Sequence, residues 1–195
     1  MNKLILTDVD DVLLSWIGGF HQFMHDGEHF HIDHYDPEHY HLGKRYGIKE
    51  SEAMKKVAEY NHSGYLAKLP PISDAAEYVA KLAEEGWRFI AITSIGDHPD
   101  VVRYRNENLL NVFGDIFDEI HCIPIGTSKA DMLSRWKDSG LPWIEDHFVN
   151  AVDGLKAGLN PIVVTRPHNE GQYCTGITRV SAETPWLEIY DILNQ

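Results

Sequence analysis

Short apolar runs alternate with segments of helical period along most of the chain. Leu4-Ile5-Leu6, Phe89-Ile90-Ala91-Ile92, Ile120 to Ile123, Trp143-Ile144 and Ile162-Val163-Val164 have the length and continuity of strands covered on both faces. Between them, Ala75, Ala76, Val79, Leu82 and Ala83 follow the helical period, with Ser73-Asp74 as the expected cap and Gly86 as the stop. Pro99 suits a first helical turn ahead of Val101, Val102 and Leu109. Ser128 is placed to cap a helix carrying Met132, Leu133 and Trp136 on one face, and a last helix is expected from Pro185 to Leu193. Strand and helix in alternation predict an α/β fold on a parallel sheet.

Residues 15–69 break this rhythm. Trp16, Ile17, Phe20, Phe23 and Met24 fall at helical spacing, as do Ala53, Met54, Val57 and Ala58. The stretch from Asp26 to Tyr46 is polar, rich in His and Tyr, and without a period, and Pro70-Pro71 marks its far boundary. The pattern therefore predicts a core domain made of residues 1–14 and 70–195, with a small, mostly helical insertion at 15–69.

Composition narrows the functional classes. A chain of 195 residues is ample for one buried core, and 43% apolar with 24% charged residues is the balance of a globular protein. Seventeen Lys+Arg against 30 Asp+Glu give a net charge of −13, which argues against a broad duplex-binding surface. A small anion held locally by a lysine, a metal ion and backbone amides remains compatible with that charge. Two distant cysteines, Cys122 and Cys174, do not form a disulfide framework, so the expected location is cytoplasmic. The first residues reach Asp8 and Asp10 too soon for a signal-peptide apolar region, and no apolar stretch is long enough for a bilayer, so neither a leader nor a membrane partner is expected. Eight of the 12 histidines lie between His21 and His62, inside the insertion.

Ligands of parallel α/β sheets bind beyond the carboxyl ends of the strands. Those ends here carry Asp8 and Asp10, Thr93 and Ser94, Glu145 and Asp146, with Lys129 opening a helix. Alternate residues of an extended segment face the same way, so Asp8 and Asp10 can share a site. Oxygen ligands of this kind suit a hard cation such as Mg2+. Beside such a cation an aspartate can attack phosphorus, a second aspartate can serve as acid and then base, and a hydroxyl and a lysine can hold the phosphoryl oxygens.

These segments resemble the four motifs of the haloacid dehalogenase (HAD) superfamily. Leu4-Ile5-Leu6-Thr7-Asp8-Val9-Asp10 resembles the first, Ile90-Ala91-Ile92-Thr93-Ser94 the second, Thr127-Ser128-Lys129 the third, and Trp143-Ile144-Glu145-Asp146 the fourth, in the family's order. The similarity covers residues 1–14 and about 70–167. It implies a Rossmann-like core and a Mg2+-dependent phosphohydrolase acting through an aspartyl-phosphate. Asp8 would be the nucleophile and Asp10 the acid and base. Thr93, Ser94 through its amide, and Lys129 would bind the phosphoryl group. Asp8, the Asp10 carbonyl and Asp146 would hold Mg2+, with Glu145 and Asp153 as further candidates. The insertion matches the family's C1 cap, which selects small substrates.

The chain departs from the family at two places: Asp11 stands where Gly usually follows the second aspartate, and the fourth motif has Glu145 in place of Gly and Asn150 four positions beyond Asp146. The cap-sized insertion and Thr165-Arg166-Pro167-His168-Asn169 are similar to 5'(3')-deoxyribonucleotidases, which implies a small phosphomonoester substrate of the (deoxy)nucleoside monophosphate class. Trp16, Phe20, Phe23, Phe30, Tyr35 and Tyr40 are expected mainly in the insertion's own core, with one or two free to stack on a base. Two other readings stand beside the phosphatase: a catalytically silent HAD-fold binding or regulatory protein that uses His29, His31, His34, His39 and His41 to hold metal or a partner, and a polynucleotide 3'-phosphatase, which the acidic charge disfavours.

Overall fold

A computed structural model of the chain describes residues 3–37, 39 and 41–195; Met1, Asn2, Glu38 and Tyr40, the last named above among the insertion's aromatics, lie outside the described residues. Six strands form one sheet among the described residues: β1 (Leu4–Thr7), β2 (Arg88–Thr93), β3 (Phe117–Cys122), β4 (Pro142–Glu145), β5 (Asn160–Val164) and β6 (Thr178–Val180). Their order is β3-β2-β1-β4-β5-β6 and every pairing is parallel. The five expected apolar runs all enter strands; only Ile123, at the end of the third run, falls just beyond β3.

The pleat sends alternate residues to opposite faces. Ile5, Phe89, Ala91, Ile144, Ile162 and Val164 join one apolar cluster with helices α4 (Ala75–Glu84), α5 (Pro99–Phe113) and α8 (Pro185–Leu193). Leu6, Ile90, Ile92 and Trp143 join a second cluster with Leu133 of α6 (Ala130–Leu133) and Leu159. Burial of each of the larger of these side chains contributes about 1.5–3 kcal/mol. Helix α7 (Phe148–Lys156) lies close against β4 because Gly154 presents no side chain: a Cβ there would stand 2.4 Å from Trp143 Cδ1.

The expected helix starts differ in detail: α6 is capped by Lys129 without a side-chain cap bond, and Trp136 falls in a 3-10 turn, Ser134–Trp136, beyond it. Ser128 Oγ accepts from Ala130 N at 3.1 Å at the start of α6. Asp74 precedes α4 but makes no side-chain cap there. Its carboxylate instead accepts from Trp186 N at 3.3 Å and Leu187 N at 2.8 Å, capping α8.

The described residues between β1 and α4 fold into α1 (Trp16–Asp26), α2 (Leu42–Arg45) and α3 (Glu50–Asn61) with two short 3-10 turns. Phe20, Met24, Ala53, Val57 and Tyr60 are buried, whereas Met54, expected on the apolar stripe of α3, is 43% exposed. The chain enters and leaves this segment side by side: Ser15 N donates to Pro70 O and Ile72 N to Leu13 O, both at 2.9 Å. Two buried asparagines fasten it to the sheet domain. Asn61 Nδ2 donates to Ile95 O at 3.2 Å, and Asn108 exchanges bonds with Leu69 O and Leu69 N. Cys122 and Cys174 are free, and among the described residues no helix is long and apolar enough to cross a membrane.

Candidate active site

The strand order reverses direction of travel at β1 and β4, and this is where the chemistry-bearing side chains gather. Asp8 leaves the end of β1, Glu145 ends β4 and Asp146 follows it. A cavity of about 1080 Å³ opens over them, lined by Asp8, Asp10, Ser94, Lys129 and Asp146 from the sheet side and by Trp16, Arg45, Met54 and Asn61 from the helical segment.

Lys129 is the centre of the cluster. Only 2% exposed, its Nζ lies 2.8 Å from Asp8 Oδ1 and 2.9 Å from Glu145 Oε1. Burial alone would push the ammonium's pKa down, but the two carboxylates outweigh it and raise it, so it is a permanent cation. Glu145, 0% exposed, has every lone pair committed. Oε2 accepts from Asp146 N at 2.7 Å and His147 N at 2.8 Å, and Oε1 accepts from Lys129 and from Asn150 Nδ2 at 2.7 Å. Burial would raise its pKa, yet Lys129 and these donors hold it below the usual carboxylate range.

Asp8 is pushed the other way, up to about 8, by burial and by the nearby Glu145 and Asp10, against the pull of Lys129. Asp146 is likewise raised, by burial and then by Glu145 and Asp8. Two buried carboxylates that resist ionisation side by side form a place made for added positive charge. Asp8, Asp146 and Glu145 each bring one oxygen within 4.8 Å of the others. The set is oxygen-only and fits a hard divalent cation. Among the described residues no three histidines of the helical segment converge in this way.

Thr93 and Asp10 differ in detail from their expected placing. Thr93 shares a strand face with Phe89 and Ala91, so its side chain turns toward α5 and is fully buried. Its hydroxyl donates to Asp10 Oδ2 at 3.1 Å, while Ser94 lines the cavity. Asp10 Oδ1 accepts from Arg105 on α5, a fully buried residue. The sequence did carry a signal for Arg105: it stands one turn from both Val101 and Leu109, a charge within an apolar stripe. Asn150 reaches Glu145, as described, whereas Asp153 lines the cavity while pairing with Lys156 at 3.2 Å and accepting from Ser128 at 3.4 Å.

Asp11, the departure from the usual glycine, has φ of 56°, the left-handed region that glycine enters freely and aspartate tolerates. Its carboxylate accepts from Ile17 N at 3.2 Å, and its carbonyl accepts from Arg166 Nε at the same distance. Of the described aromatics singled out above, Trp16 lines the cavity; Phe20, Phe23, Phe30 and Tyr35 pack against one another, Tyr46 and Tyr60.

No family model matches the chain. An uncharacterized 32.4 kDa protein from the Gp30–rIII intergenic region of Enterobacteria phage T4 is 31% identical over 142 residues, which are 71% of this chain and 51% of that protein. The chain thus spans about half the length of the curated relative it matches. A haloacid dehalogenase-like hydrolase from Streptococcus pneumoniae superposes with a TM-score of 0.67 at 14% identity, covering 98% of both chains. D,D-heptose 1,7-bisphosphate phosphatase from B. bronchiseptica, complexed with magnesium and phosphate, superposes with a TM-score of 0.60 at 14% identity, covering 99% of this chain and 98% of that one.

Proposed function

On a chain that has the fold of the haloacid dehalogenase-like hydrolases, we propose a Mg2+-dependent phosphomonoester hydrolase that works through an aspartyl-phosphate on Asp8. The observation that carries this reading is the buried Asp8–Lys129–Glu145 chain with Asp146 beside it, at the carboxyl ends of adjacent strands under a cavity. Asp8, Asp146 and the Asp10 carbonyl would hold the cation. Bound there, Mg2+ supplies the charge that keeps Asp8 ionised and offsets its repulsion from the phosphoryl group.

The chain's own groups divide the remaining work. An Asp8 oxygen attacks phosphorus while Asp10 gives a proton to the leaving ester oxygen; Asp10 then takes a proton from the water that attacks the phosphoenzyme. Lys129 neutralises the transferring oxygens, and Glu145, with its lone pairs committed, holds Lys129 and the first turn of α7 in place in preference to ligating the metal. Ser94 meets the phosphoryl group from the cavity wall, and Thr93 acts through Asp10.

The segment 15–69 serves as the cap in this reading. It walls the cavity with Trp16, Arg45, Met54 and Asn61 and so limits the substrate to a small phosphorylated metabolite. A (deoxy)nucleoside monophosphate is supported by the apolar part of the wall, where Trp16, Met54, Ile125 and Val149 offer surface for a base. The test is Mg2+-dependent phosphate release from a panel of nucleoside monophosphates and sugar phosphates, wild type beside Asp8→Asn. Turnover of part of the panel by the wild type alone is expected; full activity in the variant, or no turnover of any member, would sink the reading.

A further inference from the structure

Resting on the phosphatase reading, we infer that Arg105 is a positioning residue for the acid–base Asp10. The guanidinium lies in the middle of α5 and is 0% exposed, flanked one helical turn away by buried Val101 and Leu109. Its Nη2 donates to Asp10 Oδ1, and among the described residues Nε and Nη1 have no hydrogen-bond partner. On the other side, Thr93 donates to Asp10 Oδ2. Both carboxylate oxygens are therefore gripped from behind, and their remaining lone pairs are left for the cavity that Asp10 lines.

A buried guanidinium with two unpartnered donors is a costly way to fill an apolar helix face. An uncharged side chain of similar reach would pack there at lower cost. Packing gives no account of this cation; Asp10 does. Asp10 lies beyond the end of β1, in an isolated bridge with Leu14 and next to the left-handed Asp11, and its carboxylate is held by Thr93 and Arg105. Proton transfer needs its carboxyl within hydrogen-bond reach of the ester oxygen. In that step the Asp8–phosphorus bond forms as the ester P–O bond breaks, and the Asp10 proton passes to the departing oxygen. Water then attacks phosphorus, returns a proton to Asp10, and releases phosphate and the Asp8 carboxylate. Arg105 and Thr93 hold Asp10 aimed through both halves.

A leaving-group comparison tests this. An alkyl phosphate needs a proton as its alkoxide departs, whereas p-nitrophenyl phosphate does not. Arg105→Met is expected to lower kcat on the alkyl ester by about 100-fold and on the aryl ester by no more than about threefold, with KM unchanged. Its Tm should stay at or above that of the wild type, since Asp10, 23% exposed at its side chain, can be solvated once the cation is gone. Arg105→Lys, which keeps a cation in the same space, should show the same ester dependence at smaller size, and it carries the test if the Met variant does not fold. An equal loss on both esters, or no loss on either, overturns the positioning role while leaving the phosphatase reading intact. A wild type inactive on both esters with Mg2+ overturns the phosphatase reading, and the role of Arg105 with it.

Discussion

Lys129→Met removes the cation from between two buried carboxylates, and its cost follows from what each carboxylate can do next. Breaking a buried pair by deleting one partner typically costs about 3–5 kcal/mol. Asp8 moderates that cost, because burial pushes its carboxyl up to about 8 even with Lys129 beside it, so at pH 7 it is already mostly protonated and stays neutral once Lys129 is gone. Glu145 cannot escape so easily: it is fully buried and held ionised by two amides and Asn150. The expected loss is therefore at the low end, about 3 kcal/mol, or roughly 6–12 °C in Tm for a chain of this size. Thermal unfolding followed by circular dichroism in a metal-free buffer at pH 7 measures it. Mg2+ should return part of the lost stability by supplying another cation at the same carboxylates. A Tm within about 2 °C of the wild type would refute the reasoning that Lys129 compensates a buried acidic cluster.

Three further outcomes are expected. Asp8 and Asp146 have folded-state pKa values above their unfolded ones, so in the metal-free protein their contribution is full below pH 4 and is lost as pH rises through about 8 for Asp8. Mg2+ should therefore raise Tm more at pH 8 than at pH 6, and a larger shift at pH 6 would contradict the linkage. Asp74→Ala should uncap α8 rather than α4, costing about 1 kcal/mol, with amide exchange accelerating at Trp186 and Leu187; faster exchange confined to α4 would place the cap wrongly. Asp11→Ala should destabilise more than Asp11→Gly, because both lose the bond to Ile17 N but only Gly relaxes at a φ of 56°. Equal Tm losses would remove backbone conformation as the cause.

Much of this arrangement was legible from the chain because the strands are buried on both faces and announce themselves as apolar runs. Their ends point to Asp8 and Asp146, and the helix start at Lys129 stands in series with them. What escaped depends on contacts between residues far apart in sequence. The strand β6, Thr178-Arg179-Val180, has one buried apolar residue and no run to recognise. Asp74 looks like the cap of the helix it precedes, and only the packing of α4 beside α8 reveals its other partner. Thr93 is fully buried with its hydroxyl on Asp10, a contact across 83 residues that its own identity does not mark. Arg105 reads as a flaw in an apolar stripe until Asp10 is found opposite it. Asn61 and Asn108 fasten the helical segment to the core through bonds to backbone atoms of Ile95 and Leu69, which no local pattern marks.

The central claim is that Asp8 carries the phosphoryl group during turnover. Acid quench of the enzyme cycling on a turned-over phosphomonoester with Mg2+, followed by peptide mapping of the phosphorylated protein, tests it directly. The account predicts a hydroxylamine-labile acyl phosphate on the peptide containing Asp8, absent from Asp8→Asn. A phosphoryl group trapped on another residue, or Asp8→Asn turning over at the wild-type rate, would contradict it.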